Sequence, residues 1–331
     1  MDAVVIGGGV IGLASALELA AAGMRVSLLD RSEPGTEASW AAAGILGPQS
    51  ESHGPGPMLD LCLRSFEQYG EWVARLGVDV GYERCGTLHL AFTRAEADAL
   101  VAMRDWQLAA GLRAELRNDA RALVALWLPD EGRVDARLLV TALRAEVKKR
   151  GIAIRQSEVG RLDRVEGELA VVAAGAWSGP IAGVRVEPVR GQLLLLDVPP
   201  PPSVVFGAGG YLVPRGGRTL VGATVEHTGF DKSTTRDGRL QLEAIATRLG
   251  AAGNVLDHWA GLRPGTADGL PLLGRTEWGD IVATGHYRNG ILLAPVTAKI
   301  VRALALGEAP PVDLKPFAPG RPLPAAAAHA S

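Results

Sequence analysis

Cysteine is nearly absent from this chain: Cys62 and Cys85 are the only two in 331 residues. So few, so far apart, they exclude a cysteine-built metal cluster, and nothing suggests an oxidising compartment. Two reduced thiols in a cytoplasmic protein are the expectation. Long apolar runs are also missing. Nothing approaches about 18 consecutive apolar residues, so no membrane-spanning helix is expected. The opening stretch MDAVVIGGGV has no basic leader and enters a strand pattern at once, which argues against a secretory signal. An excess of one charge is lacking too: Lys+Arg 34 against Asp+Glu 36 leaves a net charge of −2. No basic run reaches the density of a nucleic-acid or anionic-membrane surface, which leaves small molecules as the favoured partners.

What is present is ordinary globular material, 47% hydrophobic and 21% charged, enough for two domains or one large discontinuous one. Residues 3–6 (AVVI) form a short apolar run ended by three glycines. Ile11, Ala14, Leu17 and Leu19 then fall near helical spacing, and RVSLLD is a second apolar run. Strand, turn, helix and strand within about thirty residues open a doubly wound sheet. Helical patterns follow from Met58 to Leu76 and from Arg94 to Gly111. A further helix is expected from Asp135, an N-cap candidate, to a stop at Gly151, with cations in its last turn. The buried run Leu169 to Ala174, with a glycine behind it, reads as another strand-to-helix junction. From VRGQLLLLDV to RTLVGATVEH short strands bounded by Gly and Pro predict an antiparallel sheet in a separate lobe, with the stiff connector PPPP at 199–202. The α/β pattern returns at DIVATGHYRNGILLAP. The tail APGRPLPAAAAHAS has nothing to bury and is expected to be disordered.

Gly7, Gly9 and Gly12 make a GxGxxG between the first strand and the first helix. The first glycine permits a tight turn, the second lets backbone approach a pyrophosphate, and the third allows close packing of helix on strand, with the helix N-terminus facing phosphate. Asp30 ends the second strand eighteen residues after Gly12, where a carboxylate accepts from ribose hydroxyls. A glycine-rich turn without a ligand is the competing reading. The fingerprint alone does not separate NAD from FAD. In EASWAAAGIL, Glu37 to Leu46, small residues permit a large planar ligand to come close, and Ser39 or nearby amides can reach phosphate; an ordinary Ala-rich helix start has the same composition.

Four segments then carry a resemblance. VVIGGGVIGLASALELAAAGMRVSLLDRSEPGTEASWAAAGIL, VVAAGAWSG, GLRPGTADGLPLLG and GHYRNGILLAP occur in the order seen in the FAD-dependent D-amino-acid oxidase superfamily, and the chain is similar in particular to the glycine oxidases of thiamine biosynthesis. The resemblance spans Val4 to about Leu306. It implies a Rossmann-like FAD-binding domain of discontinuous segments (1–80, 136–187, 262–316) and an α+β substrate domain on an antiparallel sheet (81–135, 188–261), leaving 317–331 as a tail. It implies FAD contacts at Gly7, Gly9, Val10, Ile11, Gly12, Asp30, Arg31, Ser39, Ala42, Ala43, Gly44 and Leu46. Val159, Ala174, Gly175 and Trp177 are implied on the adenine and ribose side, and Arg288, Asn289, Gly290, Ile291 and Leu292 at the flavin ring, where a helix N-terminus favours negative charge. No metal is implied. Neither cysteine falls in the last flavin motif, so the FAD is expected to be non-covalent.

A small amino acid offers a carboxylate, for which a guanidinium is the matching donor fork. The resemblance implies that Arg263 and Tyr211 hold it, with Arg288 beside them. Arg263 is read in the connection from the β-rich lobe back to the flavin domain, and the partner of Arg288 is expected to be external, the substrate carboxylate itself. The competing readings are structural: Arg263 paired with Asp268, or Arg288 capping a carbonyl. Gly209 stands where relatives carry a larger polar residue, Trp40 sits in a loop of otherwise small residues, and the Gly160–Leu169 region is short for the family. His286 and His227 are not required by the chemistry. The implied reaction is oxidative deamination of glycine, sarcosine and small D-amino acids by FAD and oxygen, giving the oxo acid, ammonia or amine, and hydrogen peroxide, with the imine serving thiazole synthesis. An amino-acid dehydrogenase passing electrons to a non-oxygen acceptor is the alternative; a non-catalytic flavin scaffold and a purely NAD-dependent enzyme are disfavoured. The oligomeric state stays open, a homo-oligomer included.

Overall fold

The computed structural model describes residues 2–162 and 169–324. One sheet of six strands is built from β1 (Asp2–Ile6), β2 (Arg25–Asp30), β8 (Ala153–Gln156), β9 (Leu169–Val172), β15 (Leu272–Arg275) and β16 (Ile281–Thr284). Its order is β15-β16-β9-β1-β2-β8, parallel except for the β15–β16 edge. The chain thus leaves β1 for β2 on one side and returns to β9 on the other, so a crevice opens beyond the carboxyl end of β1, where ligands of doubly wound sheets sit. A second, eight-stranded sheet holds β4 (Thr87–Ala91), β5 (Glu115–Arg117), β6 (Val124–Leu128), β10 (Glu187–Leu196), β11 (Val204–Gly207), β12 (Gly210–Arg215), β13 (Arg218–Gly222) and β14 (Val255–Gly265). It is antiparallel except where β4 runs alongside β11. A short ladder of β3 (Ile45–Leu46) with β7 (Gly132–Arg133) ties the two regions together.

Helices complete the layers: α1 (Val10–Ala21), α2 (Ala38–Ala41), α3 (Pro57–Glu67), α4 (Tyr69–Ala74), α5 (Arg94–Ala109), α6 (Ala136–Lys149), α7 (Ser178–Ala182), α8 (Arg236–Arg248) and α9 (Gly290–Leu306). Both α1 and α9 are apolar nearly all round, the mark of helices with no solvent face. They pack on each other in the main core, with Leu13, Leu19, Leu28, Leu292 and Val296 all fully buried. α6 begins as its sequence predicts: the Asp135 carboxylate accepts from the Arg137 and Leu138 amides at 2.9 and 3.2 Å, a cap worth about 1 kcal/mol. A second core lies between α8 and the antiparallel sheet, around Leu194, Leu212, Val221 and Leu242. No described helix is long and apolar enough to cross a membrane.

Several expectations are corrected by the fold. Arg263 lies within β14, opposite Val189 of β10, not in a connection, so the strand runs through the boundary drawn at residue 262. The tail is ordered through its first part: Phe317 is buried, and Arg321 grips Asp268 at 2.8 and 2.9 Å and the carbonyls of Leu270 and Pro271. A guanidinium supplied an anchor that an apolar pattern could not reveal. Asp268 is therefore the partner of Arg321 and not of Arg263. Of the shortened Gly160–Leu169 region, residues 163–168 lie outside the described residues, as do 325–331 of the tail.

Candidate active site

A cavity of about 310 Å³ opens beyond the end of β1 and runs between the two sheets to Tyr211, Arg263 and Arg288. That volume is within the ordinary range of ligand pockets, about 300–1,000 Å³. The glycine fingerprint forms its floor. Gly7 has φ +100°, and a Cβ there would meet the Ala173 carbonyl at 2.5 Å; a Cβ on Gly12 would stand 1.8 Å from the Gly7 carbonyl oxygen. Both are backbone obstacles, so the strand-to-helix turn tolerates no side chain at either position. The Ser39 hydroxyl accepts from the Val10 amide at 2.9 Å and so lies at the N-terminus of α1, where an anion is favoured. Asp30 spans the turn: one carboxylate oxygen accepts from the Gly8 amide at 2.7 Å and the other from the Ser32 amide at 2.9 Å. Arg31 lies 3.7 Å above the Trp177 ring and bonds Glu37 at 2.7 Å, forming a side wall.

Most residues named from the sequence meet here. Gly7, Gly9, Val10, Ile11, Asp30, Arg31, Ser39, Ala42, Ala43, Gly44, Val159, Ala174, Gly175, Trp177, Tyr211, Arg263, Arg288, Gly290 and Ile291 line this one cavity. Gly12, Leu46, Asn289 and Leu292 do not line it. Gly12 packs against Gly7, Leu46 is fully buried in the β3–β7 ladder, and the Leu292 carbonyl accepts from Ser65 at 2.7 Å. Trp40 points away, edge-on to Trp259 and beneath the Arg137 guanidinium, 3.4 Å from its ring centroid. Gly209, with φ +77°, forms the β11–β12 turn outside the cavity, so its lack of a side chain does not set the size of the cavity.

At the far end stand two arginines in different electrical situations. The guanidinium of Arg263 donates to the Thr224 carbonyl at 3.1 Å and the Arg190 carbonyl at 3.4 Å, and it also bonds the Tyr211 hydroxyl. Among the described residues no carboxylate pairs with it. Gly191, two residues beyond Val189 on β10, makes room for the side chain: a Cβ there would lie 2.2–2.3 Å from the guanidinium atoms. Tyr211 is buried beside them. Burial pushes its hydroxyl up, while Arg263 and then Arg288 pull it down without reversing the shift, so the phenol stays protonated.

Arg288 is the surprise. Its partner is internal: Nε meets Glu51 Oε2 at 2.8 Å and Nη2 meets Oε1 at 3.2 Å. A cation just ahead of α9 faces the positive end of a helix dipole, and Glu51 offsets that repulsion. The attraction of Glu51 raises the guanidinium above its ordinary range. The chain reaches this point through left-handed backbone at Gly285, φ 73°, and at Tyr287, φ 47°, which is costly for a residue with a side chain. Neighbouring His286 is buried; desolvation depresses it to about 3, and Nε2 sits 3.1 Å from Thr297 Oγ1. His286 is therefore neutral near pH 7. His227 is exposed and does not line the cavity.

Sequence reading missed Glu51 and Gly191 as cavity residues, while His286, named there as a residue the chemistry does not require, lines the cavity. The only available sign for Glu51 was electrostatic, an arginine at a helix start that needs an anion from elsewhere in the chain.

The comparisons agree with this geometry. Residues 2–304 match the family model DAO, FAD dependent oxidoreductase. The chain belongs to that family. It is 35% identical to the glycine oxidase of Geobacillus kaustophilus, covering 96% of both chains, and 33% identical to that of Pseudomonas aeruginosa, covering 96% of this chain and 98% of the relative. The crystal structure of glycine oxidase from Geobacillus kaustophilus superposes with a TM-score of 0.91 at 32% identity, over 97% of this chain and 99% of the other. The bifunctional protein ThiO/ThiG of Synechocystis is 38% identical over 97% of this chain, which spans about half, 54%, of that relative's length. The cofactor is FAD, and the residues present fit it: the glycine cradle, the α1 N-terminus and the small run Ala41 to Gly44 leave a continuous channel to the uncapped N-terminus of α9.

Proposed function

We propose that this chain catalyses the oxidative deamination of glycine and other small amines, including sarcosine and small D-amino acids, to the 2-oxo acid, ammonia or amine, and hydrogen peroxide. The observation that carries this reading is Arg263, a guanidinium with no acidic partner among the described residues, at the end of an FAD channel beside the Tyr211 hydroxyl. When bound, FAD supplies the acceptor for the Cα hydride and returns the electrons to oxygen. The protein's part is orientation. Arg263 and Tyr211 would take the substrate carboxylate as a charge-assisted fork, fixing Cα against the flavin site, and restricting it there replaces an encounter with a positioned reaction. The first turn of α9 carries no side-chain cap and turns the positive end of its dipole toward the same place.

No dedicated base is needed if the amine reacts unprotonated. The cavity agrees with that economy, because His286 is held neutral by burial and Tyr211 keeps its proton. Likeness to ThiO/ThiG supports a further step of the proposal, that the imine is delivered in the cytoplasm to thiazole synthesis. The test is a panel of glycine, sarcosine and D-alanine added anaerobically to the yellow protein. Rapid bleaching by glycine, followed by peroxide on admitting oxygen, is expected. Bleaching without peroxide would favour a dehydrogenase, and no bleaching by any of the three would remove the proposal.

A further inference from the structure

Glu131 is a fully buried carboxyl group, remote in sequence from the cavity and absent from its lining. Its oxygens are occupied by one turn of the chain, residues 47–52. Oε1 accepts from the amides of Gln49 and Ser50, both at 2.7 Å, and Oε2 accepts from the Ser50 hydroxyl. The Ser50 oxygen also lies 2.8 Å from His89 Nε2. Gln49 extends the anchorage, donating to Gln107 Oε1 at 2.7 Å and to the Arg113 carbonyl at 3.1 Å. The turn closes on itself through Glu51 N to the Gly47 carbonyl, 3.0 Å, and Ser52 Oγ to the Pro48 carbonyl, 2.8 Å. Glu51 then leaves this turn to meet Arg288.

From this arrangement we infer that Glu131 is a positioning residue for specificity: by fixing the 47–52 turn it keeps Glu51 on Arg288, leaving Arg263, among the described residues, as the guanidinium at this end of the cavity open to a carboxylate. The inference rests on the proposal that Arg263 holds the substrate carboxylate. With Glu51 in place, a second negative charge on a substrate would meet a carboxylate and an already neutralised guanidinium. Release Glu51, and Arg288 becomes a second seat a short way from the first. Amines with one carboxylate are favoured in the first state, and amines with two in the second.

Loss of the turn's anchor is therefore expected to change discrimination more than it changes turnover. The experiment compares kcat/KM for glycine with that for iminodiacetate, an amine with two carboxylates, in holoenzymes matched for flavin content. Binding of acetate against malonate, read from the flavin absorbance, gives the same comparison without turnover. Glu51→Gln and Glu131→Ala should each shift the ratio toward the diacid by about tenfold or more, the ratio that 1.4 kcal/mol of differential binding produces. The double variant should shift it no further than Glu51→Gln alone, since one residue acts through the other. Glu131→Gln should restore the ordinary ratio, because its oxygen accepts the same two amides and its amide can donate to Ser50. If Glu131→Ala leaves the ratio unmoved while Glu51→Gln shifts it, the positioning role is overturned. If Glu51→Gln also leaves it unmoved while Arg263→Ala loses glycine, the latent second seat is overturned. If Arg263→Ala itself keeps its glycine KM, the substrate-site reading has failed first.

Discussion

Gly191→Ala tests the placement of Arg263 without touching its charge. Gly191 sits in β10, away from the left-handed backbone region, so alanine is tolerated by the backbone. The added methyl would stand 2.2–2.3 Å from three guanidinium atoms, where ordinary contact begins near 3.4 Å. The guanidinium is the far end of a flexible side chain, and it must retreat by about 1 Å. That displacement is large against the tolerance of a two-point carboxylate clamp, for which a 1 Å misplacement can cost on the order of 10²-fold. The same figure follows from energies: loss of a charge-assisted hydrogen bond is worth about 1.5–3 kcal/mol, or roughly ten- to two-hundredfold. The assay is steady-state glycine oxidation with flavin content and melting temperature measured on the same preparation. Glycine kcat/KM is expected to fall by about 10²-fold with flavin retained and melting shifted by a few degrees at most. A kcat/KM within twofold of the parent would refute the claim that the Arg263 guanidinium, in this position, holds the substrate.

Gly12→Ala forces a methyl to 1.8 Å from the Gly7 carbonyl, a backbone clash with no flexible partner, and is expected to yield protein with little or no bound flavin; normal flavin absorbance after purification would contradict it. Arg321→Ala strips Asp268 of its partner and frees two carbonyls, and breaking a mostly buried pair of this kind should destabilise by about 3 kcal/mol, seen as a melting temperature lower by several degrees. Burial raises Glu131 to about 7 from 4.5, so the stability attached to its protonated form is complete below pH 4.5 and is lost as pH rises through about 7. Glu131→Gln, which has no proton to lose, should therefore gain on the parent across that interval by an amount on the order of 3 kcal/mol, and a difference in chemical-denaturation stability that is flat with pH would exclude the linkage.

How far the sequence could be read depends on which interactions are local. The fingerprint glycines, the Asp135 cap and the alternation of short Gly- and Pro-bounded strands are each written within a few residues, and each appears where that pattern places it. Their meeting in one cavity with Tyr211, Arg263 and Arg288 came from motif resemblance, because nothing in the chain's spacing brings β10, β12 and β14 to the cavity that begins at the N-terminus of α1. What stayed hidden was pairing over long separations. Arg288 finds Glu51 237 positions away, Arg321 finds Asp268 53 away, and Glu131 anchors a turn 81 positions upstream. Charges carry no periodicity, so a sequence shows that a buried arginine needs an anion and not which anion supplies it. Trp40 illustrates the converse: its place in a small-residue run put it beside the flavin channel, yet its ring turns outward to stack under Arg137.

The most direct test of the central claim is the stoichiometry of glycine turnover in the parent protein and in Arg263→Ala at equal flavin content. One hydrogen peroxide per glycine consumed is expected in the parent, and in the variant a glycine KM raised by about 10²-fold with the flavin still bound. Glycine consumed without peroxide, or an Arg263→Ala variant that turns glycine over with an unchanged KM, would contradict it.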